Sequence, residues 1–299
     1  MLARWGCGRR APRVKQYRRG ELFGSTGARA LVTTCENLFV SRLLIAIQLS
    51  SLKLPFKKAL AVVRQLGADA IEIDARGEIN AQELGVSGIR HVRKLADDFG
   101  LKIAAVEFRT RRGYHVAEEL QRRIEATKAT MELAYALGAT VVTNHVGRIP
   151  AEVDTPEWQQ LTDVLTDLGR HGQRVGATLC AETGAESGAD LRRLVEALPP
   201  EALGVTFDPG NLIVNGYSAQ ESLQQLAPWI RHVHINDGVR DVAQGRGLAV
   251  EIGRGDADFP ALLATLEERQ YRGCLSIERT QTSDPAGEIG RAVRFLQAV

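Results

Sequence analysis

From Leu43 onward, short apolar and β-branched runs alternate with longer stretches in which apolar residues recur every three or four positions. The short runs fall at Leu44–Leu49, Ala70–Asp74, Lys102–Glu107, Thr140–His145, Ala177–Glu182, Gly204–Asp208, Arg231–Ile235 and Cys274–Glu278. Their length and content predict buried strands. Between them, stretches such as Phe56-Ala59-Leu60-Val63-Leu66 and Leu120-Ile124-Thr127-Met131-Leu133-Leu137 carry a helical period. Gly67, Gly100, Gly138, Gly176 and Gly273 each separate a helical stretch from the next strand, where a left-handed turn suits glycine. Thr155-Pro156-Glu157 and Asp284-Pro285 put Pro at the first helical position after a cap, and Ser218-Ala219-Gln220-Glu221 reads as a capping box.

Eight strands alternating with helices over residues 43–299 predict an α/β fold, a single-domain (β/α)8 TIM barrel. A doubly wound open sheet is the rival. It would more often show a glycine-rich turn after the first strand, and Gln48-Leu-Ser-Ser-Leu-Lys53 has none. Residues 1–42 read differently, being rich in Arg and Gly, poor in acids and without apolar period until Leu38. They are expected to form a disordered N-terminal extension, with a targeting segment as the alternative.

Charge changes the picture once that extension is set aside. The chain carries a net charge of +2, but residues 1–40 hold eight basic residues against Glu21 and Glu36, leaving 30 basic and 34 acidic residues beyond them. A body of net charge about −4 argues against a nucleic-acid binder that relies on a broadly basic surface. The longest apolar stretch, Leu38–Leu49, is too short for a membrane span and is broken by Arg42. Four Cys without C-x-x-C spacing suit a reducing, cytoplasmic setting.

The ends of the strands carry the chemistry. In a barrel of this kind the active site lies at the C-terminal strand ends, and those positions here are Glu72/Asp74, Glu107, His145, Glu182, Asp208, His234 and Glu278. Strand alternation puts Glu182 on the face of Cys180 and Thr178, Asp208 with Thr206, and Glu278 with Ser276 and Cys274. The opposite face carries Leu179/Ala181, Val205/Phe207 and Leu275/Ile277, which suits packing against helices. His232 also points inward but one layer deeper, where a hydrogen-bonded core histidine is the plainer reading. Three converging carboxylates without a counter-ion would repel one another. One divalent metal ion held by Glu182, Asp208, His234 and Glu278 resolves this, and that donor set suits Mn²⁺, Mg²⁺ or Co²⁺, with Zn²⁺ also compatible. The alternative is neutralisation by Arg240, Arg254 and Arg279.

The motifs Ala181-Glu182-Thr-Gly184, Thr206-Phe-Asp208-Pro-Gly-Asn211, His232-Val-His234-Ile-Asn-Asp237-Gly, Ile252-Gly-Arg-Gly255-Asp-Ala-Asp-Phe259 and Tyr271-Arg-Gly-Cys-Leu-Ser-Ile-Glu278-Arg279 resemble the xylose-isomerase-like TIM-barrel superfamily. That superfamily, also called the AP endonuclease 2-like family, includes sugar phosphate isomerases and epimerases, ketose 3-epimerases, inosose dehydratases and isomerases, and endonuclease-IV-type enzymes. The resemblance implies that Glu182, Asp208, His234 and Glu278 bind one metal, and that Glu182 and Glu278 also serve as the catalytic acid/base pair. It places Arg240 on substrate oxygens. Asn211 stands where relatives often have His, and Asn236 where many have Lys, so the substrate stays open.

The activity implied is that of a metal-dependent isomerase or epimerase of a sugar, sugar phosphate or keto-polyol. It would remove the proton α to a carbonyl through a metal-stabilised enediolate. His145, Glu107, Arg240, Asn211 and Glu186 are the substrate-binding candidates, although His145 and Glu107 could equally orient a ligand, and Glu186 could sit at a helix N-terminus. A dehydratase of a keto-inositol on the same site is the alternative. A non-catalytic carbohydrate-binding relative or an endonuclease-IV-like nuclease fits less well, the latter because it needs further histidines. The expected partner is a small sugar or polyol, with neither nucleic acid nor membrane. Relatives commonly form dimers or tetramers, so a homo-oligomer is allowed.

Overall fold

The computed structural model describes residues 43–80, 83–241 and 246–299; the extension expected over residues 1–42 lies outside them. Eight parallel strands close on one another: β1 (Leu44–Gln48), β2 (Ala70–Asp74), β3 (Lys102–Glu107), β4 (Val141–Asn144), β5 (Thr178–Glu182), β6 (Gly204–Phe207), β7 (Ile230–Ile235) and β10 (Cys274–Ile277). β1 completes the circle, pairing Ile47 with Ile71 of β2 on one side and Leu44 with Cys274 of β10 on the other. The expected barrel is therefore present, with each strand within a residue or two of its expected bounds.

Helices α1 (Phe56–Leu66), α2 (Val86–Asp98), α3 (Leu120–Leu137), α4 (Pro156–Val175), α5 (Gly188–Ala197), α6 (Pro209–Val214), α7 (Ala219–Leu226), α8 (Phe259–Glu268) and α9 (Pro285–Ala298) follow the strands. Their starts are built as the sequence signals them. Thr155, Ser218 and Asp284 accept from the backbone N–H of Trp158, Glu221 and Gly287, satisfying donors that a helix end leaves free. Gly67, Gly100, Gly138 and Gly176 adopt the positive φ expected of them. Gly273 does not. The left-handed turn after α8 falls on Gln270 instead, and Gly273 is needed because a Cβ there would lie 2.2 Å from the Tyr271 hydroxyl.

Outward-facing strand residues, among them Ile45, Ile71, Ile73, Leu179, Val205, Phe207 and Leu275, form one continuous core with the helices. The barrel interior is polar. Gln48, Glu72, Thr143, His232, His234 and Ser276 are all essentially inaccessible, and they bond between strands that are not neighbours. Thr143 of β4, Ser276 of β10, and His232 and His234 of β7 all reach Glu72 of β2, at 2.8, 2.7, 3.1 and 3.1 Å. A register shift between Ile71 and Glu72 marks a bulge in the β2–β3 pairing at the carboxylate itself.

One unexpected element shapes the mouth. After β7 the chain forms a two-stranded antiparallel ribbon, β8 (Asp237–Val239) with β9 (Leu248–Val250). Buried Asp237 anchors the segment that follows, accepting from the backbone N–H groups of Gly253, Gly255 and Ala257 at 2.9, 2.8 and 3.2 Å. A Cβ at Gly255 would stand 2.1 Å from Asp237 Oδ1, so the glycine of the Ile252–Phe259 motif is there for close approach. Gly255→Ala should therefore lower stability by about 1–3 kcal/mol, the usual cost of overpacking. Urea unfolding checks it, and an unchanged midpoint would show that the loop yields without cost.

Candidate active site

Glu182 ends β5, Asp208 caps α6 directly after β6, His234 lies in β7, and Glu278 follows β10. All four are buried, and one donor atom of each lies within 4.8 Å of the others. The structure thus brings together the four residues the sequence singled out, at the C-terminal end of the barrel.

The orientation of His234 follows from Glu72. Burial opposes the ionised form of Glu72, but His234 and His232 outweigh it and hold the carboxyl well below the usual range. An ionised carboxylate only accepts, so His234 Nε2, at 3.1 Å, carries the ring proton. Its Nδ1 faces Glu278 Oε2 at 3.2 Å, Glu182 Oε1 at 3.6 Å and Asp208 Oδ2 at 3.9 Å. Burial opposes the charged ring, but Glu72 and Glu182 outweigh it and hold His234 well above the usual range, so a metal ion arriving at Nδ1 would displace a proton.

Neighbours hold the carboxylates in place. Asn211 donates its side-chain amide to Glu182 Oε1 at 2.8 Å and its backbone N–H to Asp208 Oδ1 at 2.7 Å. Asn236 reaches Asp208 Oδ2 at 3.3 Å. Gly184, at φ 132°, allows this close packing, since a Cβ there would lie 2.4 Å from the Asn211 Cβ. Arg109, not anticipated from the sequence, bonds Glu278 Oε1 at 2.7 Å and pairs with Glu107. Glu107 also accepts from Gln48 at 3.1 Å. His145 Nε2 stands at the mouth, 3.3 Å from Glu182 Oε2 but outside hydrogen-bond geometry.

Negative charge remains in excess. Glu72, Glu107, Glu182, Asp208 and Glu278 are all buried, and Arg109 is the one guanidinium among the described residues that reaches them. Arg254 pairs instead with Glu251, Arg279 with Glu288, and Arg240 is exposed beyond β8. The arginine-neutralised reading therefore fails for those three. Burial first, then repulsion by Glu182 and Glu278, pushes Asp208 up to about 8, whereas His145, His234 and Arg109 outweigh burial and hold Glu182 at about 2. Such carboxylates cannot all ionise beside one another without a further cation. Glu182 Oε2, Glu278 Oε2 and His234 Nδ1 are moreover buried without hydrogen-bond partners. Unpartnered carboxylate oxygens beside an imidazole nitrogen that can exchange its proton for a metal fit a divalent ion.

The remaining candidates divide. His145 and Glu186 line one cleft of about 450 Å³ with Glu182, Arg148 and Tyr217. Glu186 Oε1 accepts from Ile149 N at 3.2 Å. Asn211 braces the carboxylates, as described, and Glu107 is enclosed by Arg109 and Gln48. Arg240 does not join them. It lines an adjoining pocket with Asp256, Asp258 and Tyr217, the last shared with the cleft of His145 and Glu186. Glu72 stood among the rim candidates, but its contribution is structural support beneath His234, and His232 is a hydrogen-bonded core histidine as expected.

A closed parallel barrel with a carboxylate-rich, cation-ready mouth defines a class of enzymes rather than one activity. The family model described as xylose isomerase-like TIM barrel matches residues 60–299, and the chain belongs to that family. It is similar to inosose dehydratase of Geobacillus thermodenitrificans, 26% identical over 217 residues that cover 62% of this chain and 71% of that protein. Among solved structures it resembles a xylose isomerase-like TIM barrel protein from Mycobacterium smegmatis in complex with magnesium, with a TM-score of 0.71 at 20% identity, covering 86% of this chain and 96% of that one. A D-tagatose 3-epimerase-like protein superposes with a TM-score of 0.70 at 21% identity, covering 86% and 98%. No helix among the described residues is long and apolar enough to cross a membrane.

Two outcomes are expected. Mn²⁺ or Mg²⁺ should raise the melting temperature by mass action, by about 2.7 kcal/mol of stability at a hundred times Kd, and Asp208→Asn should remove most of that shift. A calorimetric scan with and without ion reads both, and equal shifts in the two proteins would place the ion elsewhere. Burial, first, pushes Glu186 up to about 7. The folded state then binds more protons than the unfolded one between pH 4.5 and 7, so this group's contribution to stability falls as pH rises through that window. Glu186→Gln keeps an acceptor for Ile149 N and should flatten that fall. Parallel pH profiles for the two proteins would show the idea wrong.

Proposed function

We propose that this protein is a divalent-metal-dependent isomerase or epimerase of a small sugar, sugar phosphate or keto-polyol, acting by proton abstraction α to a carbonyl. The observation that carries the reading is the convergence of Glu182, Asp208 and Glu278 on Nδ1 of His234, with unpartnered oxygens and too few cations. Glu182, Asp208, His234 and Glu278 would hold the ion. It would supply Lewis-acid polarisation of the substrate's carbonyl and adjacent hydroxyl oxygens. The magnesium in the Mycobacterium smegmatis protein supports Mg²⁺ as one candidate.

The protein's own groups divide the remaining work. Glu182 and Glu278 are each anchored through one oxygen, by Asn211 and by Arg109. Each leaves Oε2 without a hydrogen bond, in Glu278 toward His234 and in Glu182 toward His145, where it could take a proton from the substrate or return one. The likeness to a D-tagatose 3-epimerase-like protein favours proton return over bond loss. The cleft beside Glu182 offers His145, Glu186 and Arg148 to the substrate's hydroxyls, and His145, at the mouth, is the nearest alternative proton carrier. With Arg240 on another pocket, these residues and Arg109 are the better substrate contacts.

A second reading comes from the inosose dehydratases, which share up to 31% identity over part of the chain. Removal of the same proton, with a hydroxyl on the next carbon, would expel water. A panel of free and phosphorylated ketoses and keto-inositols in D₂O separates the two. Deuterium uptake without loss of water supports the isomerase or epimerase, water loss supports the dehydratase, and neither would remove both. At saturating metal, Glu182→Gln or Glu278→Gln should lower kcat by roughly 10²-fold or more, the scale of a lost acid or base. Full turnover restored by raised metal would reduce the glutamates to ligands only.

A further inference from the structure

A cleft outside the catalytic mouth is built for an anion. It lies between the segment after β2, the segment after β3 and helix α3, holds about 740 Å³, and includes none of the four clustered residues in its lining. Arg76, Arg111, Arg112, Arg122 and Arg123 line it together with Phe108, and its one lining acid is Glu119. Arg122 faces Glu119 at 3.5 Å, and Arg112 pairs with Glu118 at 2.9 Å. No carboxylate pairs with the guanidinium of Arg76, Arg111 or Arg123 among the described residues. Arg76 stacks over the Phe108 ring, 4.6 Å from its centroid, which leaves its N–H edge free to donate.

Arg123 supplies an independent observation. It is only 9% exposed, and its terminal nitrogens donate to the backbone carbonyls of Glu118, Val116 and Gly113. Its Nε is buried without a partner. A buried cation that meets only neutral carbonyls, in a cleft lined by four further arginines, is costly unless an anion nearby offsets the charge.

We infer that this cleft binds a small phosphorylated molecule. The volume suits a compound of metabolite size, within the roughly 300–1,000 Å³ of small-molecule sites. Guanidinium groups match phosphoryl oxygens in a two-pronged fashion. A nucleic acid fits less well, since its phosphates would extend past the cleft over a body that is net acidic. The segment after β3 also carries Arg109, so the site adjoins the loop that anchors Glu278.

Titration calorimetry of the full chain with orthophosphate and with glucose 6-phosphate, using glucose as the uncharged control, tests this. One saturable site is expected, weakened at least tenfold in Arg76→Ala and in Arg111→Ala. Both side chains are exposed, so the fold should hold, which circular dichroism checks. Binding should persist in Glu182→Gln and in Arg192→Ala, whose guanidinium lies on α5 beside Glu196. Tighter binding of glucose 6-phosphate identifies an organic phosphate as the ligand, and equal affinity identifies the phosphoryl group alone. Binding that survives both cleft substitutions, disappears in Glu182→Gln, or never saturates would overturn the assignment. A duplex oligonucleotide that binds more tightly than either phosphate, with steep salt dependence, would overturn it in favour of nucleic acid.

Discussion

The carboxylate of Glu72 is the contact on which the barrel and its mouth both depend. A bare carboxylate on a barrel axis would cost several kcal/mol, yet this one is wholly buried and receives donors from β4, β7 and β10. Because these strands are not its neighbours, the bonds tie the barrel together through its middle, where most such folds pack aliphatic side chains. The same carboxylate sets the chemistry above it. By accepting the Nε2–H of His234 it turns Nδ1 toward Glu182, Asp208 and Glu278. A carboxylate behind a metal-facing imidazole is a recurrent way to fix ring orientation and raise ligand basicity.

From that base upward, each donor at the mouth is positioned by a group with a second task. Asp208 caps α6 through Asn211 N while presenting Oδ2 to the cluster, and Asn211 in turn holds Glu182. Asp237, three residues beyond His234 at the start of β8, gathers the backbone of the segment that follows β9. The mouth is therefore rigid where the cluster sits. Single oxygens of Glu182 and Glu278 are left without a hydrogen bond there, each on a side chain already anchored at its other oxygen. Such anchoring is what preorganisation requires, since a charged group free to swing would spend interaction energy on ordering itself.

Much of this was legible in the residues. Period-two alternation placed Glu182, Asp208 and Glu278 on one face, and the strand order did the rest, because strands 5 to 8 are adjacent on one side of a closed barrel. What the sequence could not show was partnership across the axis. Thr143, His232 and Ser276 lie 71, 160 and 204 residues from Glu72, and no local pattern links them. Loop residues were harder still. Arg109 follows a strand end and looks like one more surface arginine, yet it reaches Glu278 across the mouth. Arg240 was placed by the family resemblance, and it stands exposed just after β8, in a pocket that adjoins the cleft beside Glu182. The Gly273 turn failed for a related reason, since glycine marks either a left-handed backbone or a close neighbour, and only the Tyr271 ring decides between them.

The division between rigid cluster and variable loops bears on specificity. Isomerisation, epimerisation and dehydration share their first proton transfer, so the four clustered residues can serve all three and cannot by themselves select among them. Selection has to come from how the substrate's remaining hydroxyls are held, because the group anti to the departing proton decides whether a proton returns or a hydroxyl leaves. On the proposed reading those contacts would fall to His145, Arg148 and Glu186, on the segments after β4 and β5, and to Arg109 after β3. All of them lie on connecting segments, where change costs the barrel least. Reaction type is thus written in the part of the fold that Glu72 does not constrain.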